Sequence, residues 1–151
     1  MKPVLALVLT SLFPLAAVAE DAVPVADTTG APALIQPGAD SDLSEFQWKA
    51  RPIVVFADSP DDPRFQEQID RLTSGADQLL ERDVVVLTDT DPSVRSALRT
   101  KLRPRGFMLV LVGKDGGVKL RKPSPWTVRE ITRSIDKFPD RQREVEERRG
   151  S

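Results

Sequence analysis

The sequence predicts an α/β domain with a mixed four-stranded sheet, in the order strand, helix, strand, helix, hairpin, helix. Three observations carry that reading. Two short apolar runs, "IVVFA" and "DVVVLT", are long enough for buried parallel strands and too short for buried helices. Between and after them, apolar residues recur at helical spacing. The pentapeptide "GKDGG" then separates "FMLVLV" from "VKLR", and Asp-Gly is the dipeptide that populates the positive φ angles of a tight hairpin turn. A doubly wound parallel sheet would need a crossover helix where "KDGG" stands, and a two-residue turn cannot supply one.

The chain opens "MKPVLALVLTSLFPLAAVAEDA": Lys2, an apolar run from Val4 to Val18, and Ala17-Val18-Ala19 ahead of Glu20. This is the pattern of a secretory signal peptide over residues 1–19, cleaved after Ala19, with no charged stop beyond it. The expectation is an exported protein, periplasmic or extracellular, with no stable membrane anchor once the signal is removed. Residues 20–42, rich in Ala, Pro, Gly and Asp and without periodicity, read as a disordered leader.

The ordered domain is expected over residues 43–139. Phe46 and Trp48 are expected to cover the open end of the core ahead of the first strand, Ile53 to Ala57. A helix follows from Pro63 to Glu81, with Phe65, Ile69, Leu72, Ala76, Leu79 and Leu80 at helical spacing, Pro63 in its first turn and Gly75 as a tolerated weak point. After the second strand, Asp91 is expected to cap a short helix with Pro92 at its first position, ending before Arg103-Pro104. The hairpin comes next. Ser124 with Pro125, or Thr127 with Glu130, starts a helix whose Val128, Ile131, Ile135 and Phe138 form one apolar face. Residues 140–151, nearly all charged, read as a solvated helix or frayed tail with pairs such as Glu144 and Arg148 four apart.

Composition narrows function. The 151 residues carry 22 basic and 23 acidic side chains, a formal net charge of −1, which disfavours a nucleic-acid binder. There is no cysteine, so neither disulfide staples nor thiol catalysis is available. There is no histidine, which removes the usual metal ligand and the usual general base near neutral pH. "GKDGG" lacks the spacing of a phosphate loop, and no cofactor is expected.

The element order is that of the thioredoxin-like fold. In detail the chain resembles the P-DUDES domains of unknown function, on the stretches "RPIVVFADSPDDPRFQEQ", "VVVLTD", "LVGKDGGVKLR" and "IDKFPDRQREVEER", from about Trp48 to Arg148. That resemblance implies a thioredoxin-like fold without redox cysteines, in small exported bacterial proteins, and no established activity. Where a thioredoxin-like enzyme keeps its reactive thiol, this chain has Asp58, Ser59, Pro60, Asp61 and Asp62; where it keeps a cis-proline, this chain reads Arg105-Gly106-Phe107-Met108.

The topology brings Asp58, Ser59, Asp61, Asp62, Asp89 and Asp91 together with Arg103 and Arg105 at the carboxyl ends of the parallel strands, where open α/β sheets bind ligands. Three readings compete for this edge. The aspartates cap helices and pair with the arginines; or the carboxylates bind a divalent cation through oxygen, a metal the sequence leaves unknown; or paired carboxylates, or Ser59 as nucleophile, perform hydrolysis. A second candidate is a basic patch on the hairpin, Lys114, Lys119, Arg121 and Lys122. It either guards an edge strand against unwanted pairing or docks an acidic partner. The functional expectation is a non-catalytic binding or structural module of the cell envelope, its partner an unknown envelope protein or polymer. The alternative is a cation-binding protein or cation-dependent hydrolase. Oligomeric state is left open.

Overall fold

The computed structural model describes residues 33–151. The apolar runs form the centre of the sheet: β2 (Arg51–Phe56) and β3 (Val84–Asp89) pair in parallel, with Ile53 opposite Val86. β4 (Met108–Val112) runs antiparallel to β2, and β5 (Val118–Lys122) antiparallel to β4. Successive strand residues face opposite sides, and each side has its own core. Ile53, Val55, Val86, Leu109 and Leu111 meet Leu72, Leu79, Ile131 and Ile135 on one face. Val54, Phe56, Leu87, Val110 and Val112 meet Leu43, Leu98 and Leu102 on the other. Burial on both faces explains why these strands read as unbroken apolar runs.

Among the described residues the sheet has five strands, not the expected four. The additional strand, β1 (Ile35–Pro37), pairs in parallel with the outer edge of β3, giving the order β1-β3-β2-β4-β5. It lies in the stretch expected to be leader. Three residues are too few to show an alternation, and what orders them is the open edge of β3: Val86 N–H donates to the Leu34 carbonyl (2.7 Å), and Gly38 N–H to the Thr88 carbonyl (2.8 Å). The expected signal peptide and residues 20–32 of the expected leader lie outside the described residues.

The helices on the first face are α1 (Pro63–Ser74), α2 (Ala76–Leu80) and α4 (Val128–Ile135). The single helix expected from Pro63 to Glu81 is broken at Gly75 because α4 crosses there: a Cβ on Gly75 would lie 2.6 Å from a methyl of Val128. Gln68, fully buried in α1, locks this layer by exchanging hydrogen bonds with the Trp126 backbone, donating to its carbonyl (2.9 Å) and accepting from its N–H (2.8 Å). Thr127 and Glu130 form the expected capping box of α4.

On the second face lie a 3₁₀ turn (Leu43–Phe46) and α3 (Ala97–Leu102). The expected cap at Asp91 is displaced: the cap lies five residues later, at Ser96, with α3 beginning at Ala97, and Asp91 closes a local turn onto Ser93. Trp48 does not cover the core. Phe46 packs against it, but Trp48 is 71% exposed, at a backbone φ of 64°. The charged closing segment forms α5 (Pro139–Arg149), and it is docked on the domain, with Arg141 only 3% exposed.

Candidate functional site

The carboxyl ends of β2 and β3 are joined by a hydrogen bond from Ala57 N–H to the Asp89 carbonyl (3.0 Å). Asp89, the one candidate aspartate that is buried, accepts from the Ser96 hydroxyl (2.6 Å) and from Arg99 Nε (2.8 Å). Arg99 also donates to the carbonyls of Ala57 (2.8 Å) and Asp89 (3.2 Å), and its guanidinium lies over the Phe56 ring. The same Ser96 hydroxyl accepts the Arg99 N–H and caps α3. A buried carboxylate that accepts from a guanidinium nitrogen, a hydroxyl and the Asp91 N–H is satisfied. Arg99 therefore clasps both strand ends, and this edge is braced by groups that the sequence reading did not single out. The available signal was Ser96 and Arg99 at the cap and third positions of a helix following Asp89.

Asp91 touches that cluster through its N–H, which donates to Asp89 Oδ1 (3.3 Å); the side chains of the other edge residues do not join it. Asp62 caps α1 by accepting the Arg64 N–H (2.9 Å); hydrogen bonds from the Arg64 side chain and backbone hold its carboxyl below the usual range. Asp91 is held low in the same sense by the hydroxyl and N–H of Ser93. Ser59 Oγ accepts the Asp61 N–H (3.2 Å), and among the described residues no carboxylate accepts from its hydroxyl, as a base activating a nucleophile would. Asp58 and Asp61 are exposed, as are Arg103 and Arg105; Arg103 ends α3 in the left-handed conformation (φ 48°). Among the described residues, no group of three or more carboxylates is arranged to hold a metal ion.

The hairpin residues do not form one basic patch. Lys119 pairs with Asp115 (2.8 Å) and sits over the Phe138 ring; the hydrogen bond from Lys119 holds the Asp115 carboxyl low. Arg121 donates to the Leu102 carbonyl (2.5 Å). Lys122 lies 4.4 Å from the centre of the Trp126 ring. Lys114, like Lys119, lies by the hairpin turn, at the pole of the sheet opposite the Asp89 edge.

At that pole Arg51, the first residue of β2, is wholly buried. It donates to the Arg82 carbonyl (2.9 Å), to Asp140 (2.6 Å) and, through both terminal nitrogens, to Glu144 (3.0 and 3.3 Å). Lys114 bridges Glu144 (2.7 Å) and Asp83 (2.8 Å). Burial opposes the charge on Glu144, yet hydrogen bonds from Lys114 and Arg51, with their two positive charges, bring its carboxyl down to about 2. This network fastens α5, whose expected Glu144–Arg148 pair is replaced by these longer-range partners.

The fold and its sites can be set against known proteins. A family model described as a domain of unknown function, DUF4174, matches residues 42–144. Coiled-coil domain-containing protein 80 of Danio rerio is 31% identical over 133 residues, a match that takes in 68% of this chain and 15% of that protein's length. Among solved structures, the reduced 2-Cys peroxiredoxin of Plasmodium vivax superposes with a TM-score of 0.54 at 16% identity, over 68% of this chain and 85% of that one. Reduced desulfothioredoxin from Desulfovibrio vulgaris Hildenborough superposes with a TM-score of 0.52 at 18% identity, over 70% and 98%. At those identities the likeness bears on fold alone, and the fold is thioredoxin-like. With the family model covering well over half of its length, the chain belongs to the DUF4174 family, as a cysteine-free domain of thioredoxin-like fold.

Proposed function

We propose that this protein is an exported binding module that keeps the thioredoxin-like architecture without its chemistry and docks an envelope protein or polymer. One observation carries the reading. At the strand ends beside the loop where thioredoxin-like enzymes hold a reactive thiol, the buried polar groups are taken up by the Asp89–Ser96–Arg99 clasp, whose members hydrogen-bond one another and the strand-end carbonyls. Such a site braces the sheet and leaves no nucleophile or base poised for a substrate. The finer family assignment is to the P-DUDES domains, supported by the DUF4174 match over nearly the same stretch as the sequence resemblance.

Export rests on the residues ahead of the domain: Lys2, the apolar run and Ala17-Val18-Ala19. In the described part, no helix is long and apolar enough to cross a membrane. Two measurements test the proposal. The intact mass of protein recovered outside the inner membrane should begin at Glu20; a chain retained in the membrane with Met1 in place would overturn export. Turnover on a panel of ester, phosphoester and glycoside substrates should be absent; robust turnover abolished by Ser59→Ala or Asp58→Ala would overturn the binding-module reading.

A further inference from the structure

Trp48 is the side chain that neither core nor clasp uses. It is one of two tryptophans in the chain and 71% exposed, although an indole gains more from burial than almost any other group. Its backbone sits at φ 64°, where a bulky residue is strained. That conformation is pinned, because the Trp48 N–H donates to the Lys114 carbonyl (2.7 Å) and Gln47 Nε2 to the Asp115 carbonyl (3.3 Å). An aromatic held out of the core by a fixed, unfavourable backbone is a feature that stability alone does not explain.

Beside it opens a cleft of about 520 Å³ between the hairpin turn and α5, lined by Trp48 and, among others, Lys114, Asp140, Arg143, Glu144 and Glu147. Its size suits a small ligand or a few units of a polymer. Most of its charges are already neutralised: Lys114 by Asp83 and Glu144, Asp140 by Arg51, Lys119 by Asp115. Among the described residues Arg143 and Glu147 make no ion pair, although they stand four apart on α5, in the less favourable order for pairing with each other. The cleft therefore presents an apolar ring face, one free donor fork and one free acceptor, with little net field to attract an ion.

We infer that this cleft is a binding site for a neutral oligosaccharide, one sugar ring stacking its C–H face on Trp48 while its hydroxyls exchange hydrogen bonds with Arg143 and Glu147. The inference rests on the binding-module reading and names its ligand class. A sugar combines an apolar face with uncharged donors and acceptors, which matches the lining; an acidic or basic peptide would need to break ion pairs already made.

The test is proton–nitrogen NMR of the whole protein titrated with cellohexaose or chitohexaose, the two indole N–H signals being assigned with Trp126→Phe. Expected is a saturable shift of the Trp48 indole, and not that of Trp126, with at least one of the two sugars. Affinity should fall at least about tenfold in Trp48→Asn and also fall in Arg143→Ala. Asparagine tolerates the left-handed backbone, so Trp48→Asn should melt no lower than wild type, which separates lost binding from lost folding. The site is overturned if neither sugar moves the Trp48 indole at about 10 mM, enough to fill a millimolar site, or if Trp48→Asn binds as wild type does. A hexaglutamate arm separates the two readings. Shifts confined to the hairpin around Lys119 and Lys122, with the sugars silent, overturn the sugar site and leave the binding module standing. A sugar that shifts Trp48 and is then cleaved keeps the site and overturns the non-catalytic reading.

Discussion

At the carboxyl ends of the parallel strands the buried charge is an anion, Asp89, whose partners Ser96 and Arg99 lie seven and ten residues further along the chain. At the amino ends it is a cation, Arg51, whose carboxylate partners Asp140 and Glu144 lie 89 and 93 residues away in α5. Both clusters satisfy a charge that burial would otherwise make costly. They differ in what they hold. The Asp89 clasp closes a local loop and fixes the ends of two strands. The Arg51 network reaches across almost the whole domain and fastens a helix with little apolar surface of its own. A short loop closes at small entropic cost, whereas the distant contact forms only once the chain between is ordered. The comparison makes the amino-terminal pole the more fragile.

Arg51→Ala should have the largest effect. It removes a fully buried guanidinium and leaves two carboxylates and the Arg82 carbonyl without it, a loss of about 3 kcal/mol, seen as a lowered denaturant midpoint. Hydrogen exchange over Pro139–Arg149 should rise to the rate of free peptide; retained protection there would show that α5 is held by something else. Acid alone should reach part of that loss. The folded carboxyl of Glu144 lies at about 2 against an ordinary 4.5, a depressed value, so its contribution is complete above 4.5 and drains away as pH falls through 2. Glu144→Gln should flatten that part of the stability-versus-pH curve, and an unchanged slope would place the acid sensitivity elsewhere.

The carboxyl-terminal pole should respond separately. Asp89→Asn keeps the shape but leaves Arg99 without its anion, for a loss of about 2 kcal/mol. Because the clasp is local, exchange protection in α5 should stay as in wild type. Ser96→Ala removes both the cap of α3 and a hydrogen bond to Asp89, costing about 1 kcal/mol by thermal melt. Asp61→Ala, at an exposed residue whose side chain makes no hydrogen bond or ion pair among the described residues, should leave the melting temperature unchanged. A fall there would mean that the acidic loop matters more to the fold than its geometry indicates.

The same distinction explains what was legible in the sequence. β2, β3 and the hairpin are written in local pattern, as apolar runs and an Asp-Gly turn, and the structure places them as read. The capping box at Thr127 and Glu130 is local too. The break at Gly75 is not, since its cause is Val128, far along the chain. β1 is ordered by the edge of β3 and carries no pattern of its own. Asp91-Pro92 has the stronger look of a helix start, yet Ser96 is the residue whose hydroxyl also meets Asp89, and the tertiary contact decides the boundary. Of the edge residues singled out, Asp89 and Asp62 have structural partners that spacing could suggest. Arg51 reads as an ordinary charge ahead of a strand, because no spacing rule links it to α5. Trp48 reads as a core cover, because aromatics usually are, and only the backbone angle and exposure reveal otherwise.

The small strand at the sheet's margin has a mechanical consequence. β1 runs parallel to β3, its hydrogen bonds bracketed by those at Leu34 and Gly38. Tension applied along its axis from the amino end would load those bonds in shear, all at once, whereas tension across the sheet would peel them singly. A domain tethered through residue 33 and pulled lengthwise would resist with β1 as its anchor, and the direction of force would set when it yields.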